Sequence, residues 1–184
     1  MGHPLSMFKH SDVEGAGKPV ISIGLSMITS AGCDGEDRFN QGAAVLAAIE
    51  ELEMRGYRCE LVSTYRTGPS NSRPMNTWAN LEVMLKQANE PFNPVAVAFA
   101  LAHPAWLRRL GFKAMETQPE WSDVTRSCYG DASGGPEWDA SMAEDFDIVI
   151  PNIFGSGYST MDKAFKKVTE IFNEAMNRLT ENAA

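Results

Sequence analysis

The stretch from residue 19 to residue 52 limits the possible folds more than any other part of the chain. Within residues 20–26 bulky and small side chains alternate, with Ile21, Ile23 and Leu25 set against Ser22, Gly24 and Ser26. This alternation predicts a strand with one apolar face and one flat face, on which another element can lie closely. A small, acidic loop follows, and an Ala-rich helical pattern begins at about Arg38. This order is typical of open α/β sheets, which bind ligands in the loops that follow their strands.

The patterns after Arg38 predict two more strands and a helix between the first two. The helix covers 38–55, ends before Gly56, and buries a face that includes Phe39, Ala43, Leu46 and Ile49. Residues 57–64 and 81–85 alternate as strands. Because no helical pattern separates these two strands, we expect them to pair antiparallel.

The second half of the chain adds helices and one buried strand. Asn93 and Pro94 start a helix that breaks at His103, and a short helix over 105–110 ends at Gly111. Residues 145–151 form a buried strand, and Ser159 caps a final helix. The spacing of apolar residues on that helix places Phe165 and Phe172 in the core.

Together these elements predict a single α/β domain over residues 19–184. It is a Rossmann-like, three-layer domain whose mostly parallel sheet has an antiparallel edge strand. Residues 1–18 lack periodicity and form a flexible N-terminal tail, and residues 113–143 form an irregular insertion.

Charge and composition exclude several classes of protein. The net charge is −8, with 24 acidic and 16 basic residues, so we expect no nucleic-acid partner. No apolar run has the length of a membrane span and no signal peptide is present, so we expect no membrane partner. Three cysteines without CxxC spacing favour reduced thiols in a cytoplasm.

The ends of the first and last parallel strands carry many small and oxygen-bearing residues. Because strand one should lie beside the last strand, their following loops should open towards each other and form a ligand edge. The candidate ligand-binding residues are Ser26, Thr29, Ser30, Asp34, Thr64, Asn152, Gly155, Ser156 and Gly157. In the loop after the first strand, hydroxyl and carboxylate oxygens suit a hard cation, and they belong to Ser26, Thr29, Ser30, Asp34, Glu36 and Asp37. The alternative is a polar loop whose acids cap the next helix.

The first half of the chain resembles the front of a von Willebrand factor A (vWA) domain. The resemblance rests on Leu25-Ser-Met-Ile-Thr-Ser-Ala-Gly, the Ala-rich helix, the strand Gly56-Tyr-Arg-Cys-Glu-Leu-Val and the antiparallel third strand. Such domains hold a metal through Asp-x-Ser-x-Ser at this place, whereas here Ser26 or Gly24 stands where the Asp belongs. The resemblance therefore implies a degenerate site with no resident metal and at most weak Mg²⁺ binding. With Ala102-His-Pro-Ala-Trp-Leu-Arg-Arg-Leu-Gly-Phe, the chain also resembles an uncharacterised family of phage and prophage proteins.

Two further motifs are open to alternative interpretations. Gly155-Ser-Gly-Tyr-Ser-Thr can cradle a phosphate at a helix start, or it is a plain turn and cap. His103 can act as a general base or a ligand while Arg108 and Arg109 bind an anion. Alternatively, His103 lies at a helix break and the two arginines are solvated.

The resulting functional prediction is a non-catalytic binding module of phage or prophage type that uses the degenerate vWA-like edge. Its partner is another protein or a small anionic ligand, no catalytic residues are assigned, and its place is the cytoplasm, that of the host if a phage encodes it. One alternative is an enzyme or sensor that holds a nucleotide-like anion at the glycine turn. Another is a structural component of a phage-related assembly. We also expect that Ser26→Leu with Gly157→Leu leaves the fold intact and abolishes binding.

Overall fold

A computed structural model describes residues 19–28, 33–67, 79–91, 93–103, 105–118, 145–153 and 155–182. Its strands are β1 (Val20–Ser26), β2 (Arg58–Thr67), β3 (Ala79–Lys86) and β4 (Ile148–Ile150). Its α-helices are α1 (Gly35–Met54), α2 (Pro94–Ala102), α3 (Phe112–Thr117) and α4 (Met161–Asn182). A π-helix (Trp106–Gly111) leads into α3, and a 3₁₀ turn (Gly155–Tyr158) precedes α4.

The four strands form one sheet in the order β3-β2-β1-β4. Strand β1 is parallel to both β2 and β4, and β2 is antiparallel to β3. The predicted fold class is confirmed: a single α/β domain with a mostly parallel sheet and an antiparallel edge strand. The predicted central position of β1, with β4 beside it, is also confirmed.

The hydrophobic core lies on one face of this sheet. Ile23 of β1 stands level with Leu61 of β2 and Ile148 of β4, and all three side chains are fully buried. The same core contains apolar residues of α1, α2 and α4, so these three helices pack against the same face of the sheet. Within the ranges given above the structure describes no helix on the opposite face, so the third layer of the predicted domain stays a prediction.

The small residues that alternate along β1 allow the segment before β4 to lie close to this strand. A Cβ on Gly24 would lie only 2.4 Å from a ring carbon of Phe146, so the aromatic ring can pack here only because residue 24 has no side chain. Beside it, the backbone N–H and the hydroxyl of Ser22 both donate to Asp147, at 2.8 Å each. The flat face predicted from the sequence therefore receives the segment that leads into β4.

Helix α1 begins earlier and has a different buried face than the sequence predicts. It starts at Gly35, where Asp37 accepts a hydrogen bond from the backbone N–H of Asp34 at 2.9 Å. Phe39, predicted to be buried, is 56% exposed, because Arg38 and neighbouring polar residues occupy the inward positions of this first turn. The predicted end is confirmed, since Gly56 has φ of +87°, which favours glycine at a helix C-terminus.

Two predictions about the later helices are wrong. The helix after His103 does not end at Gly111, because the π-helix continues into α3 as far as Thr117. The irregular stretch predicted from residue 113 therefore begins no earlier than residue 118. The rest of that predicted insertion, and the predicted tail 1–18, lie outside the described residues.

The capping residue of α4 lies one position later than predicted, and its predicted buried face is half right. The backbone N–H of Lys163 donates to the hydroxyl of Thr160, the residue directly before the helix, at 3.4 Å. Phe172 is buried as predicted, but Phe165 is 40% exposed. Phe165 lines the groove between α1 and α4.

Candidate functional site

The loops after β1 and β4 meet at the predicted edge of the sheet. The backbone N–H of Ile153 donates to the carbonyl of Ile28 at 3.4 Å, and that of Met27 donates to the carbonyl of Thr64 at 2.8 Å. The carboxyl ends of β1, β2 and β4 are thereby brought together. The strand order changes direction here, because β2 lies on one side of β1 and β4 on the other. We call this the switch point of the sheet, the place where open α/β sheets bind ligands.

A buried arginine from the first turn of α1 lies across this edge. Nη1 of Arg38 donates to the carbonyl of Ser26 at 3.1 Å and to Oε1 of Gln41 at 3.0 Å. Its Nη2 lies directly against the sulfur of Met27. Burial lowers the pKa of Arg38 to about 10, and the nearby Tyr158 acts in the opposite direction. The guanidinium therefore still carries its charge at neutral pH.

No carboxylate is among the partners of Arg38 within the described part of the chain. Its acceptors there are a backbone carbonyl, a side-chain amide oxygen and a thioether. Buried charges in proteins are normally paired, because an isolated charge in a poorly solvated place is costly. Arg38 is thus a desolvated cation at the ligand edge of the sheet.

Two amide side chains of the same helix turn hold the loop after β4. Nε2 of Gln41 donates to the carbonyl of Pro151, and Nδ2 of Asn40 donates to the carbonyl of Tyr158, both at 3.0 Å. Both side chains are buried. The sequence interpretation missed Arg38, Asn40 and Gln41, although three polar residues at the start of an otherwise apolar helix were a usable signal.

Three of the nine predicted site residues lie at this edge within the packed structure. Ser26, Thr64 and Asn152 are each buried, and the hydroxyl of Thr64 donates to the carbonyl of Leu25 at 3.4 Å. Ser26 has only 4% of its surface exposed, so a leucine there would disturb the packing. Contrary to the expectation from the sequence, we therefore expect Ser26→Leu to destabilise the fold.

The structure describes only part of the acidic loop that follows β1. Asp34 is exposed and stands at the start of α1, in the capping role that the alternative interpretation gave it. Thr29 and Ser30 lie outside the described residues. Among the residues that the structure describes, no three His, Cys, Asp or Glu side chains are grouped as a metal site would need. The absence of a resident metal, with at most weak Mg²⁺ binding, stays a prediction.

The predicted glycine motif forms the 3₁₀ turn, which contains Gly155, Ser156 and Gly157. A lysine of α4 folds back over it. A Cβ on Gly157 would lie 3.0 Å from Nζ of Lys167, and the same ammonium stands 4.6 Å from the ring centroid of Tyr158. The turn therefore has a cation beside it.

The predicted His103 cluster has the contacts of a helix break. The ring stacks on Phe99 with centroids 5.2 Å apart, and Nδ1 accepts the backbone N–H of Ala105 at 3.1 Å. Arg108 and Arg109 are exposed on the π-helix. These contacts favour the structural interpretation of His103.

A family model described as a domain of unknown function, DUF7192, matches residues 1–176. The chain belongs to the DUF7192 family. No curated protein and no solved structure is significantly similar to this DUF7192 chain. The resemblances to vWA domains and to phage proteins stay predictions, because the family description names neither. In the described part of this DUF7192 chain, no helix is both long and apolar enough to cross a membrane.

Proposed function

We propose that the domain is a non-catalytic binding module that receives a carboxylate at Arg38. The carboxylate belongs to a partner protein or to a small anionic ligand. The observation that carries this proposal is the buried guanidinium, which has no carboxylate partner in the described structure and lies at the switch point of the sheet. The predicted vWA-like and phage-type character belongs to the same proposal and rests on the sequence motifs.

The chemistry of the guanidinium supports a carboxylate in particular. Arginine presents planar, fork-shaped donors that match a carboxylate with two parallel hydrogen bonds. A neutral amide in place of Arg38 could also bind the carbonyl of Ser26 and the side chain of Gln41. A buried charge adds little to such structural contacts, but it adds strong attraction for an anion that is brought from outside.

Thermal denaturation of the full chain tests the proposal. At constant ionic strength, replacing chloride by acetate or by a peptide with a free C-terminus should raise the Tm, because a ligand that binds only the folded state stabilises it. Arg38→Gln should lose this response, and Arg38→Lys should retain part of it. Arg58→Gln is the matched control, since Arg58 is exposed at the opposite end of the parallel strands. A wild-type Tm that no carboxylate changes would refute the proposal.

One observation favours a second candidate, the enzyme or sensor with a nucleotide-like anion at Gly155–Thr160. The ammonium of Lys167 stands beside Gly157, where it could neutralise a phosphate. Inorganic phosphate and a nucleotide should then raise the Tm of the wild type, and Lys167→Gln should abolish this response while leaving the response to acetate. For the third candidate, an assembly component, light scattering of the purified chain should show a large complex.

A further inference from the structure

An apolar cavity of about 100 Å³ lies next to the Arg38 edge. It is lined by residues of strands β2 and β3 on one side and of the π-helix and α3 on the other. Its apolar lining includes Met27, Leu81, Val83, Trp106, Leu110 and Ala114. The hydroxyl of Ser63, which also lines the cavity, donates to the carbonyl of Val83 at 3.4 Å. The cavity therefore suits an apolar group.

The π-helix contributes directly to the cavity. Trp106, Leu110 and Gly111 all belong to this wider helix and all line the cavity. Such segments are rare and occur frequently at functional sites. Leu110 is 52% exposed, so this side of the cavity reaches the surface.

A single side chain connects the cavity with the buried cation. Met27 lines the cavity, and its sulfur lies directly against Nη2 of Arg38. Methionine is unbranched and adaptable, and its thioether is a weak hydrogen-bond acceptor. A carboxylate is a far stronger acceptor for a guanidinium, so it can replace the sulfur at Arg38. The side chain of Met27 is therefore in contact with both the cavity and Arg38.

We propose that the ligand of this site is a carboxylate with a short apolar substituent, which enters the cavity when Met27 moves off Arg38. This inference rests on the proposed function, because it needs the carboxylate at Arg38. A cavity of about 150 Å³ holds a benzene ring, so the present one admits roughly three to five carbon atoms. Two sources offer this chemistry: a free short-chain acid, and the C-terminal residue of a protein with an apolar side chain.

Calorimetric titration of the full chain with acetate, butyrate and hexanoate tests the inference. Affinity should rise roughly threefold to fourfold for each added methylene until the cavity is full. The corresponding neutral amides should not bind. A peptide that ends in leucine, compared with its C-terminal amide, distinguishes a protein partner from a free acid: tighter binding of the free peptide than of hexanoate identifies the protein source.

Two variants locate the apolar group. Ala114→Leu fills the cavity and should abolish the dependence on chain length while acetate binding remains. Thr117→Leu adds the same side chain at an exposed position of the same helix and should leave the dependence unchanged. In the wild type labelled at its methionine methyl groups, hexanoate should shift the NMR signal of Met27. The signal of Met54, which is 82% exposed, should not move. This measurement does not depend on whether the variants fold.

The possible failures are distinct. If acetate and hexanoate bind equally well, or if the Met27 signal does not respond to hexanoate, this inference is refuted and the carboxylate site at Arg38 stands. If no acid or free peptide binds the wild type at all, both this inference and the proposed function are refuted.

Discussion

Truncation of Phe172 to alanine should strongly destabilise the fold, whereas the same change at Phe165 should not. Both rings line the groove between α1 and α4, but Phe172 is 5% exposed and belongs to the main core, whereas Phe165 is 40% exposed. Loss of a buried phenylalanine removes its transfer free energy and leaves a cavity, which together cost about 3–5 kcal/mol. Truncation of Phe165 removes only a little over half of the transfer free energy and leaves no closed cavity. We therefore expect it to lower the free energy of unfolding by about 1–1.5 kcal/mol.

Urea denaturation measures this difference directly. With an m-value of about 2 kcal/mol/M, the midpoint should fall by roughly 2 M for Phe172→Ala and by roughly 0.5–0.7 M for Phe165→Ala. Phe39→Ala is a suitable control, because Phe39 is 56% exposed at the start of α1. Equal losses at Phe165 and Phe172, with unchanged m-values, would refute the assignment of the buried face of α4.

Two further predictions concern a helix end and a thiol. Gly56→Ala should lower the free energy of unfolding by about 1–2 kcal/mol, because φ is +87° there, and a denaturant melt with no loss would contradict this. Burial raises the pKa of Cys59 to about 11, so at pH 8 a thiol reagent should label the half-buried Cys33 in the native protein and Cys59 only after unfolding, as read by peptide mass spectrometry. The stabilisation from the neutral Cys59 thiol is complete below pH 9 and should be lost between pH 9 and 11, because the unfolded chain releases that proton first.

Local patterns in the sequence were sufficient to predict the sheet. The alternation along β1 and β2 indicates strands whatever surrounds them, and the missing helix between β2 and β3 leaves an antiparallel pair as the natural connection. The position of the ligand edge follows from the same connectivity, because parallel strands end at the same side of the sheet. The sequence also marked the end of α1 through Gly56, since few other residues adopt a positive φ.

Which side chains are buried at that edge depends on tertiary contacts. Periodicity placed Phe39 inside and gave Arg38 no role beyond the start of the helix, because it considers only whether a side chain is apolar. In the folded chain Phe39 is exposed and Arg38 is buried. The end of β1 supplies a carbonyl and a thioether to Arg38, and Gln41 of the same helix supplies an amide oxygen. Likewise, the apolar spacing of α4 treats Phe165 and Phe172 alike, and only the folded structure shows that Phe172 is buried and Phe165 is 40% exposed. Secondary structure is thus determined by neighbours in sequence, whereas the burial of a charge depends on acceptors that the fold brings from other elements.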